Sequence, residues 1–408
     1  MYRLLCAEGM TQAEIAARTG QAQSEVSAIM SGRQVMSYSL LERIAAAFDI
    51  PRGRLGLAFD ATTEQFTNQR LDEHDERDRV LAHAAKVTLG WPAFGEPADA
   101  PRIIEEIRTP SRVSPADVEQ ITALVDRLAD VELRSGGGVV LPALQAQLRA
   151  SRPLLEIATD NKLRHDLFSG VALLHRRASC AAFDMGLVDH ARQHILHALD
   201  LAHQADQPEL QASLFYSAGR MELYHGPAES ALRLFQFGQP AALSSNLPRL
   251  RALLEINEAR AYAKLGAADH AKRAMSSAIE RFHEAADGDQ PAWLRFFDSA
   301  ELYGAAGIVW SALGDEQCAI AALRRSLGVR SEHAVLYRTF DLAELAACHV
   351  RNGDISEGTR MGAAAVEAAT TLRSRRARLR LTPLFLATRR GSSEVRALHA
   401  SIAALLRG

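Results

Sequence analysis

The chain contains little cysteine and no long apolar run. Its 408 residues include four cysteines, which lie far apart and form no Cys-x-x-Cys pair: Cys6, Cys180, Cys318 and Cys348. This spacing indicates neither a disulfide framework nor a zinc site, so we expect small buried thiols in a reducing cytoplasm. No stretch of about 18 apolar residues occurs, and no charged segment followed by an apolar one opens the sequence. We therefore expect a cytoplasmic protein without membrane contact.

Net charge is also scarce, at −2 for the whole chain. This value argues against a protein that coats nucleic acid, but it does not exclude a small module that contacts bases through polar side chains. The length exceeds that of one ordinary core and predicts two or three domains.

Catalytic motifs are the third absence. No nucleophile with its base, no paired carboxylates and no phosphate-binding loop is recognisable. The glycine run from Ser135 to Gly138 lacks a following Lys-Ser/Thr and a preceding strand, which favours a hinge or a helix-end turn. His190, His194 and His197 share one helical face but lack the glutamate of a His-Glu-x-x-His motif, so we expect exposed or interhelical hydrogen-bonding histidines. The sequence predicts no enzyme, no cofactor and no metal site.

A pair of short helices near the N-terminus is what the sequence does contain. Thr11 and Glu14 match a Thr-x-x-Glu capping box, which starts a helix, and Gly20 can adopt the left-handed conformation that ends it. A second helix is predicted from about residue 22 to 30, and further helices bring the first 60 residues to about five. Two helices joined by a tight glycine turn form a helix-turn-helix arrangement.

The second helix of this pair carries amide and hydroxyl side chains suited to the major groove of DNA. Glutamine can form two hydrogen bonds with adenine, serine can donate or accept, and an alanine methyl can contact a thymine methyl. The segment resembles the phage-repressor (XRE, Cro/cI-like) helix-turn-helix family. The residues that match the family pattern are Gln12, Ile15, Ala16, Gly20, Gln23, Val26, Ser27, Gly32 and Arg33.

The resemblance implies a set of DNA contacts. Gln12 and Arg33 would contact phosphates, and Gln23, Ser24 and Ala28 would contact base edges. The complete predicted set is Gln12, Ala22, Gln23, Ser24, Ser27, Ala28 and Arg33. Six arginines and six acidic residues balance in the first 60 residues, so one copy should bind double-stranded DNA weakly and a homodimer on paired half-sites is expected. The alternative is a helical domain that has lost DNA binding.

Composition divides the rest of the chain. We place a DNA-binding domain at 1–60, a linker with a helical segment and a Pro/Gly loop at 61–112, and a repeat domain at 113–408. Glycines spaced 40, 40, 48 and 39 residues apart mark the repeat: Gly186, Gly226, Gly266, Gly314 and Gly353. Small residues follow each glycine by five and by twelve positions, which predicts a helix, a turn and a second helix with a small-residue face.

Stacked helix pairs of this kind form an all-α solenoid that resembles the tetratricopeptide repeat. Helices at about 115–134 and 140–160 would cap the array, and a helix after Ser393 would close it. In that family the first helix of each pair lines the concave surface. The resemblance implies a tentative ligand site of Arg176, Tyr216, Arg220, Tyr224, Asn257, Arg260 and Lys264.

Arginines interleaved with tyrosines would suit an anionic or a peptide ligand. The alternative is that these arginines pair with acids of neighbouring helices, for example Glu222 or Glu258.

Two other segments remain. Trp293 to Leu302 is expected to pack a long insertion between repeats. For the basic run Arg373 to Leu381, we expect a solvated face rather than a contact with DNA phosphates.

A phage-repressor-like domain followed by tetratricopeptide-like repeats is similar to the peptide-sensing RRNPP regulators. That resemblance implies a homodimeric transcriptional regulator in which a peptide or small-molecule effector binds the repeats and changes DNA affinity. The alternative is a protein-interaction adaptor whose N-terminal module does not bind DNA. A metal-dependent enzyme would rest on the histidine face alone.

Overall fold

The computed structural model describes residues 6, 10–30, 38–48, 112–157, 159–285, 290–389 and 393–407. The chain divides into two compact units, Met1–Val80 and Leu81–Gly408. The described residues form helices and turns without a strand, which confirms the all-α prediction. No helix among them is long and apolar enough to cross a membrane. The predicted linker at 61–112 lies outside the described residues apart from its last one, so the limits at residues 60 and 112 stay predictions.

The N-terminal unit contains three described helices, α1 (Gln12–Thr19), α2 (Gln23–Met30) and α3 (Tyr38–Ala47). The predicted capping box is present, because the Glu14 amide donates to Thr11 Oγ1 at 3.3 Å and the Thr11 amide donates to Glu14 Oε2 at 2.8 Å. Gly20 ends α1 with φ of 62°. Of the further helices predicted within the first 60 residues, those other than α3 lie outside the described part of the chain, apart from Cys6.

A small apolar core fixes these three helices. It consists of Ile15, Ala16, Val26, Leu40 and Ile44, each at most 5 % exposed. One helical face of each helix supplies these residues, as the periodicity predicts. The core therefore sets which side chains of α2 face away from it.

The second unit is an array of helical hairpins with additional helices at both ends. The first two helices are α4 (Pro115–Ser135) and α5 (Gly137–Ser151), followed by a short 3₁₀ turn, Arg152–Glu156. The hairpins are α6 (Asn161–Asp184) with α7 (Val188–Gln204), α8 (Pro208–His225) with α9 (Ala228–Ser244), α10 (Pro248–Lys264) with α11 (Ala268–Glu284), α12 (Ser299–Ala312) with α13 (Glu316–Val329), and α14 (Val335–Arg351) with α15 (Ile355–Thr371). The C-terminal helices are α16 (Arg375–Leu379), α17 (Thr382–Ala387) and α18 (Ser393–Arg407).

The predicted turn glycines join the two helices of each hairpin. Four of them have positive φ, and Gly226 differs, with φ of −135° and extended backbone. Gly219 shows why small residues lie between the helices, since a Cβ atom there would lie 2.4 Å from the Phe235 ring. The small residues predicted on the second helices are buried, which confirms that they allow close helix packing.

The two ends of the array meet. Asp184, at the end of α6, accepts hydrogen bonds from the Gly137 amide and from Ser374 Oγ, both at 2.8 Å. The Arg373 amide donates to the Ser135 carbonyl at 2.9 Å. A Cβ atom on Gly136 would lie 2.7 Å from the Arg373 carbonyl oxygen, so the glycine run is a helix-end turn that admits this contact. The C-terminal helices thus close onto the first hairpin.

The insertion between α11 and α12 packs as expected. It contains a 3₁₀ turn, Ala292–Leu294, and it buries Leu294 and Phe297 almost completely. Trp293 and Phe296 of the same segment are half-buried. They extend toward α6, as described below.

Candidate DNA-contacting helix and arginine–aromatic cluster

The N-terminal end of α2 presents small and polar side chains to solvent. Ala22, Gln23 and Ser24 are exposed, and Ser27 and Ala28 are half-buried one turn later. Gln12, at the start of α1, is half-buried. Arg33, the last of the predicted DNA contacts, lies outside the described residues.

The turn before α2 is fixed by hydrogen bonds from three directions. Arg43 Nη1 of α3 donates to the Gly20 carbonyl at 3.3 Å, and Thr19 Oγ1 donates to the Ile15 carbonyl at 2.7 Å. The Ala22 amide donates to Glu25 Oε2 at 3.2 Å. These bonds hold the exposed end of α2 in one orientation relative to α1 and α3.

A second concentration of functional side chains lies where the first helices of the hairpins approach the C-terminal closure. We call it the arginine–aromatic cluster. Its members are Arg176, Arg220, Arg260, Arg376, Arg380, Phe183, Tyr216, Tyr224, Trp293, Phe296 and Phe340. Helices α6, α8, α10, α14 and α16 supply most of them, with Arg380 directly after α16.

Arg176 is 5 % exposed and stacks on aromatic rings of the insertion. Its Cζ atom lies 5.9 Å from the Trp293 ring centre and 5.3 Å from that of Phe296. Its Nε has no hydrogen-bond partner. Burial lowers the pKa of this guanidinium, and the nearby Arg177 and Arg220 lower it further.

Arg220 has a similar environment one hairpin later. It lies over the rings of Phe183 and Tyr216, with its Cζ at 5.7 and 5.5 Å from their centres. Its terminal nitrogens lie 3.5 Å from the Tyr216 hydroxyl and 3.6 Å from the Cys180 sulfur. Burial raises the pKa of Tyr216 to about 12, so this hydroxyl is neutral at pH 7 and does not compensate the arginine charge.

Tyr224 forms the more open part of the cluster, at 37 % exposed. Its hydroxyl oxygen accepts hydrogen bonds from Arg260 Nη2 at 2.9 Å and from Arg380 Nη1 at 3.0 Å. Burial opposes ionisation of the phenol, but Arg380, Arg260 and Arg376 favour the phenolate and lower the pKa of Tyr224 to about 7. Two cations therefore converge on one oxygen.

Two of the predicted ligand residues are engaged within the protein. Asn257 is 3 % exposed; its amide donates to the Leu253 carbonyl at 2.8 Å, and its oxygen accepts from Arg260 at 2.9 Å. Lys264 is exposed and donates to the Leu223 carbonyl. Asn257 thus orients Arg260.

The acids named as alternative partners of these arginines lie elsewhere. Glu222 pairs with Arg192 at 2.9 Å, and Glu258 accepts from Gln239 at 2.8 Å. Neither carboxylate pairs with an arginine of the cluster.

The basic run Arg373 to Leu381 requires a correction. Its expected solvated face is wrong for Arg376 and Arg380, which are 7 % and 8 % exposed. Arg376 Nε lies 3.3 Å from Asp184 Oδ1, and Arg380 stacks on Tyr224 and Phe340. The sequence contained the charges but no local signal that the two ends of the helical array meet, so these two residues were missed.

The predicted histidine face lies on α7. His194 pairs with His175 through their Nδ1 atoms at 3.0 Å, which confirms interhelical hydrogen bonding, while His190 and His197 are exposed. Burial and the two neighbouring histidines lower the pKa of His175 to about 3. Within the described ranges, no group of three or more His, Cys, Asp or Glu could hold a metal ion.

All four thiols are free. The expectation of buried thiols is confirmed for Cys348, which is fully buried, and wrong for Cys318, which is exposed. Cys6 and Cys180 are half-buried.

The helix-turn-helix family profile matches residues 1–55, which confirms the predicted type of N-terminal domain. No curated protein matches the chain. Solved structures with related architecture include NprR in complex with its cognate peptide NprX, at 14% identity and a TM-score of 0.45, covering 83% of this chain and 90% of that one.

The apo form of the quorum sensor NprR from B. thuringiensis matches at 15% identity and a TM-score of 0.42, covering 82% of this chain and 85% of that one. Rap protein complexed with Competence and Sporulation Factor matches at 13% identity and a TM-score of 0.44, covering 71% of this chain and 90% of that one.

Proposed function

We propose that this chain, whose residues 1–55 match the helix-turn-helix family, is a sequence-specific transcriptional regulator. The observation that carries the proposal is the exposed polar end of α2. Val26 of the same helix is fully buried in the core, and the turn before the helix is hydrogen-bonded to Arg43 of α3. A rigid helix with exposed amide and hydroxyl groups at its N-terminal end can enter the major groove and form hydrogen bonds with bases.

Each predicted DNA contact has a chemical role in this proposal. Gln23 forms two hydrogen bonds with an adenine, Ser24 and Ser27 bond base edges or phosphates, and Ala22 and Ala28 contact thymine methyl groups. Gln12 and Arg33 bind phosphates, which position the helix without selecting sequence.

The regulator acts as a homodimer in this proposal. The balanced charge of the first 60 residues leaves little counterion release to drive binding by one copy. Two copies on adjacent half-sites double the base contacts and make affinity depend on the distance between the two N-terminal domains.

The repeat domain binds the effector, a peptide or a small molecule, at Arg176, Tyr216, Arg220, Tyr224, Asn257, Arg260 and Lys264. The burial of Arg176 and Arg220 supports this assignment, as does the convergence of Arg260 with Arg380 on the Tyr224 oxygen, whereas Asn257 acts through Arg260. The effector changes DNA affinity only if it binds one arrangement of the dimer more tightly than another. We expect no enzymatic activity and no cofactor.

Fluorescence anisotropy tests the DNA-binding proposal. The full chain is titrated into labelled DNA from the upstream region of its own gene and into scrambled DNA, at stated salt. Gln23→Ala removes the proposed adenine contact, and Gln193→Ala makes the same change at an exposed position of α7. We expect the wild type and Gln193→Ala to prefer the upstream DNA, and Gln23→Ala to lose about tenfold or more of that preference.

Equal binding of both DNAs by all three proteins, at a salt concentration where the complex is measurable, would contradict base contacts by α2. The adaptor alternative would then account for the repeat domain, with a partner protein in place of the effector.

A further inference from the structure

The buried arginines of the repeat domain differ in what compensates their charge. Arg330 lies 2.8 Å from Asp341, and Arg177 lies 3.0 Å from Glu132. Arg376 has Asp184 at 3.3 Å, and Arg380 has Glu344 at 3.9 Å. Each of these guanidiniums has a carboxylate within 4 Å, as the cost of burying a charge requires.

Among the described residues, Arg176 and Arg220 have no carboxylate partner, although they are 5 % and 8 % exposed and the Nε of each lacks a hydrogen-bond partner there. Aromatic rings, the Tyr216 hydroxyl and the Cys180 sulfur are what they contact. Cation–π contacts recover part of the desolvation cost but leave the charge in place. Since a guanidinium stays protonated in proteins, the two positive charges persist at neutral pH.

A second pair of arginines lies on the other side of Phe183. Arg260 and Arg380 donate to the same oxygen, that of Tyr224, from opposite elements of the closed array. Arg380 uses Nη1 for this bond, while its Nη2 is the atom that lies 3.9 Å from Glu344. Arg260 contacts Asn257 and Tyr224 but no carboxylate that the structure describes. The Phe183 ring centre lies 5.9 Å from that of Tyr224 and 5.7 Å from Arg220 Cζ, so one aromatic residue separates the two pairs.

We propose that this cluster binds a ligand with two anionic groups, one held by Arg176 and Arg220 and the other by Arg260 and Arg380. Carboxylate and phosphate share the required chemistry, because both accept paired hydrogen bonds from guanidinium groups. The inference deepens the proposed function, in that this dianion would be the effector of the repeat domain.

Groups of the protein itself contact the arginines of each proposed subsite. The Tyr224 oxygen takes the hydrogen bonds of Arg260 and Arg380, and the rings of Trp293 and Phe296 cover Arg176. A bound anion would replace the phenol oxygen at the subsite of Arg260 and Arg380, and would displace the insertion rings at the subsite of Arg176 and Arg220. Trp293 therefore reports on occupation of the buried subsite.

Tryptophan fluorescence of the full chain tests the proposal. Trp91→Phe and Trp310→Phe leave Trp293 as the sole tryptophan, since the chain has three. The probes are citrate for carboxylate and pyrophosphate for phosphate, with acetate as the monoanion control at equal ionic strength. We expect saturable binding of at least one probe, with acetate weaker by about tenfold or more, and calorimetry gives the affinity independently.

Variants at the two subsites decide whether both are used. Arg176→Gln and Arg260→Gln should each weaken binding by about tenfold or more, while Arg360→Gln, an exposed arginine paired with Glu357, should leave it unchanged. Circular dichroism checks that each variant folds. Where a glutamine variant unfolds, it is replaced by Arg176→Lys or Arg260→Lys. Lysine keeps the positive charge but cannot donate two parallel hydrogen bonds, so we expect these variants to bind with intermediate affinity.

Three results would overturn the inference: no binding of either probe, unchanged binding in both glutamine variants, or loss in only one of them, which would leave a single anion site. DNA anisotropy on the same samples separates the two proposals. Probe binding without preference for upstream DNA would contradict the proposed regulator and support the dianion site. Preference for upstream DNA without probe binding would support the regulator and contradict the dianion site.

Discussion

Two buried arginines of the repeat domain, Arg330 and Arg220, differ in the groups that contact their guanidinium, and this difference separates a structural arginine from a proposed ligand-binding one. Both are 8 % exposed. Arg330 donates to Asp341 at 2.8 Å, and Ser326 donates to the same carboxylate at 2.7 Å. Arg220 instead contacts the aromatic rings of Phe183 and Tyr216, the neutral Tyr216 hydroxyl and the Cys180 sulfur. The charge of Arg330 is thus neutralised within the fold, whereas that of Arg220 has no carboxylate partner in the described part of the chain, and we propose that a ligand supplies one.

Replacing each of these arginines with methionine should separate them most clearly. Arg330→Met leaves Asp341 buried without its cation and should lower the free energy of unfolding by about 3 kcal/mol. Arg220→Met removes an uncompensated buried charge and keeps apolar volume, so the change should stay within about 1 kcal/mol of zero. Denaturant unfolding of the full-length variants gives both values. Equal losses would mean that Arg220 is as structural as Arg330.

Tyr224 sharpens the comparison, because it is the one group of the arginine–aromatic cluster that can become an anion near neutral pH. Its pKa of about 7 lies below the ordinary phenol value because three arginines favour the phenolate against the effect of burial. We expect one of seven tyrosines to show phenolate absorbance with a midpoint near pH 7, and this step to vanish in Tyr224→Phe.

The lowered pKa of Tyr224 also predicts how the free energy of unfolding changes with pH. Between about pH 7 and pH 10 the folded state has lost the Tyr224 proton while the unfolded state keeps it, so wild-type stability should rise relative to Tyr224→Phe as pH increases. Below pH 7 this contribution is absent. A first tyrosine ionisation above pH 9, or a difference between the two proteins that does not vary with pH, would contradict convergence of the arginines on this oxygen.

Local patterns predicted most of the fold. The capping box of Thr11 and Glu14, the positive-φ glycines and the buried small residues all depend on neighbours within one or two helical turns. Gly226 departs from its equivalents because its backbone is extended, a conformation that glycine also permits and that spacing cannot distinguish.

The arginine–aromatic cluster was predicted only in part, because it depends on contacts between distant segments. Arg176 and Arg220 follow from the repeat register. Arg376 and Arg380 join them through closure of the array, in which Ser374 bonds Asp184 across 190 residues of sequence. Trp293 and Phe296 reach Arg176 from an insertion that the repeat register does not constrain. A basic run and an aromatic run contain no local signal of these partners.

The central claim is that a DNA-binding domain is coupled to an anion-binding repeat array. Anisotropy of upstream DNA with the full chain, with and without the better of citrate and pyrophosphate, tests it most directly. The account predicts that the dianion changes the affinity of the wild type by about fivefold or more and leaves that of Arg176→Gln unchanged. An identical DNA affinity of the wild type at every dianion concentration, with the dianion bound, would contradict it.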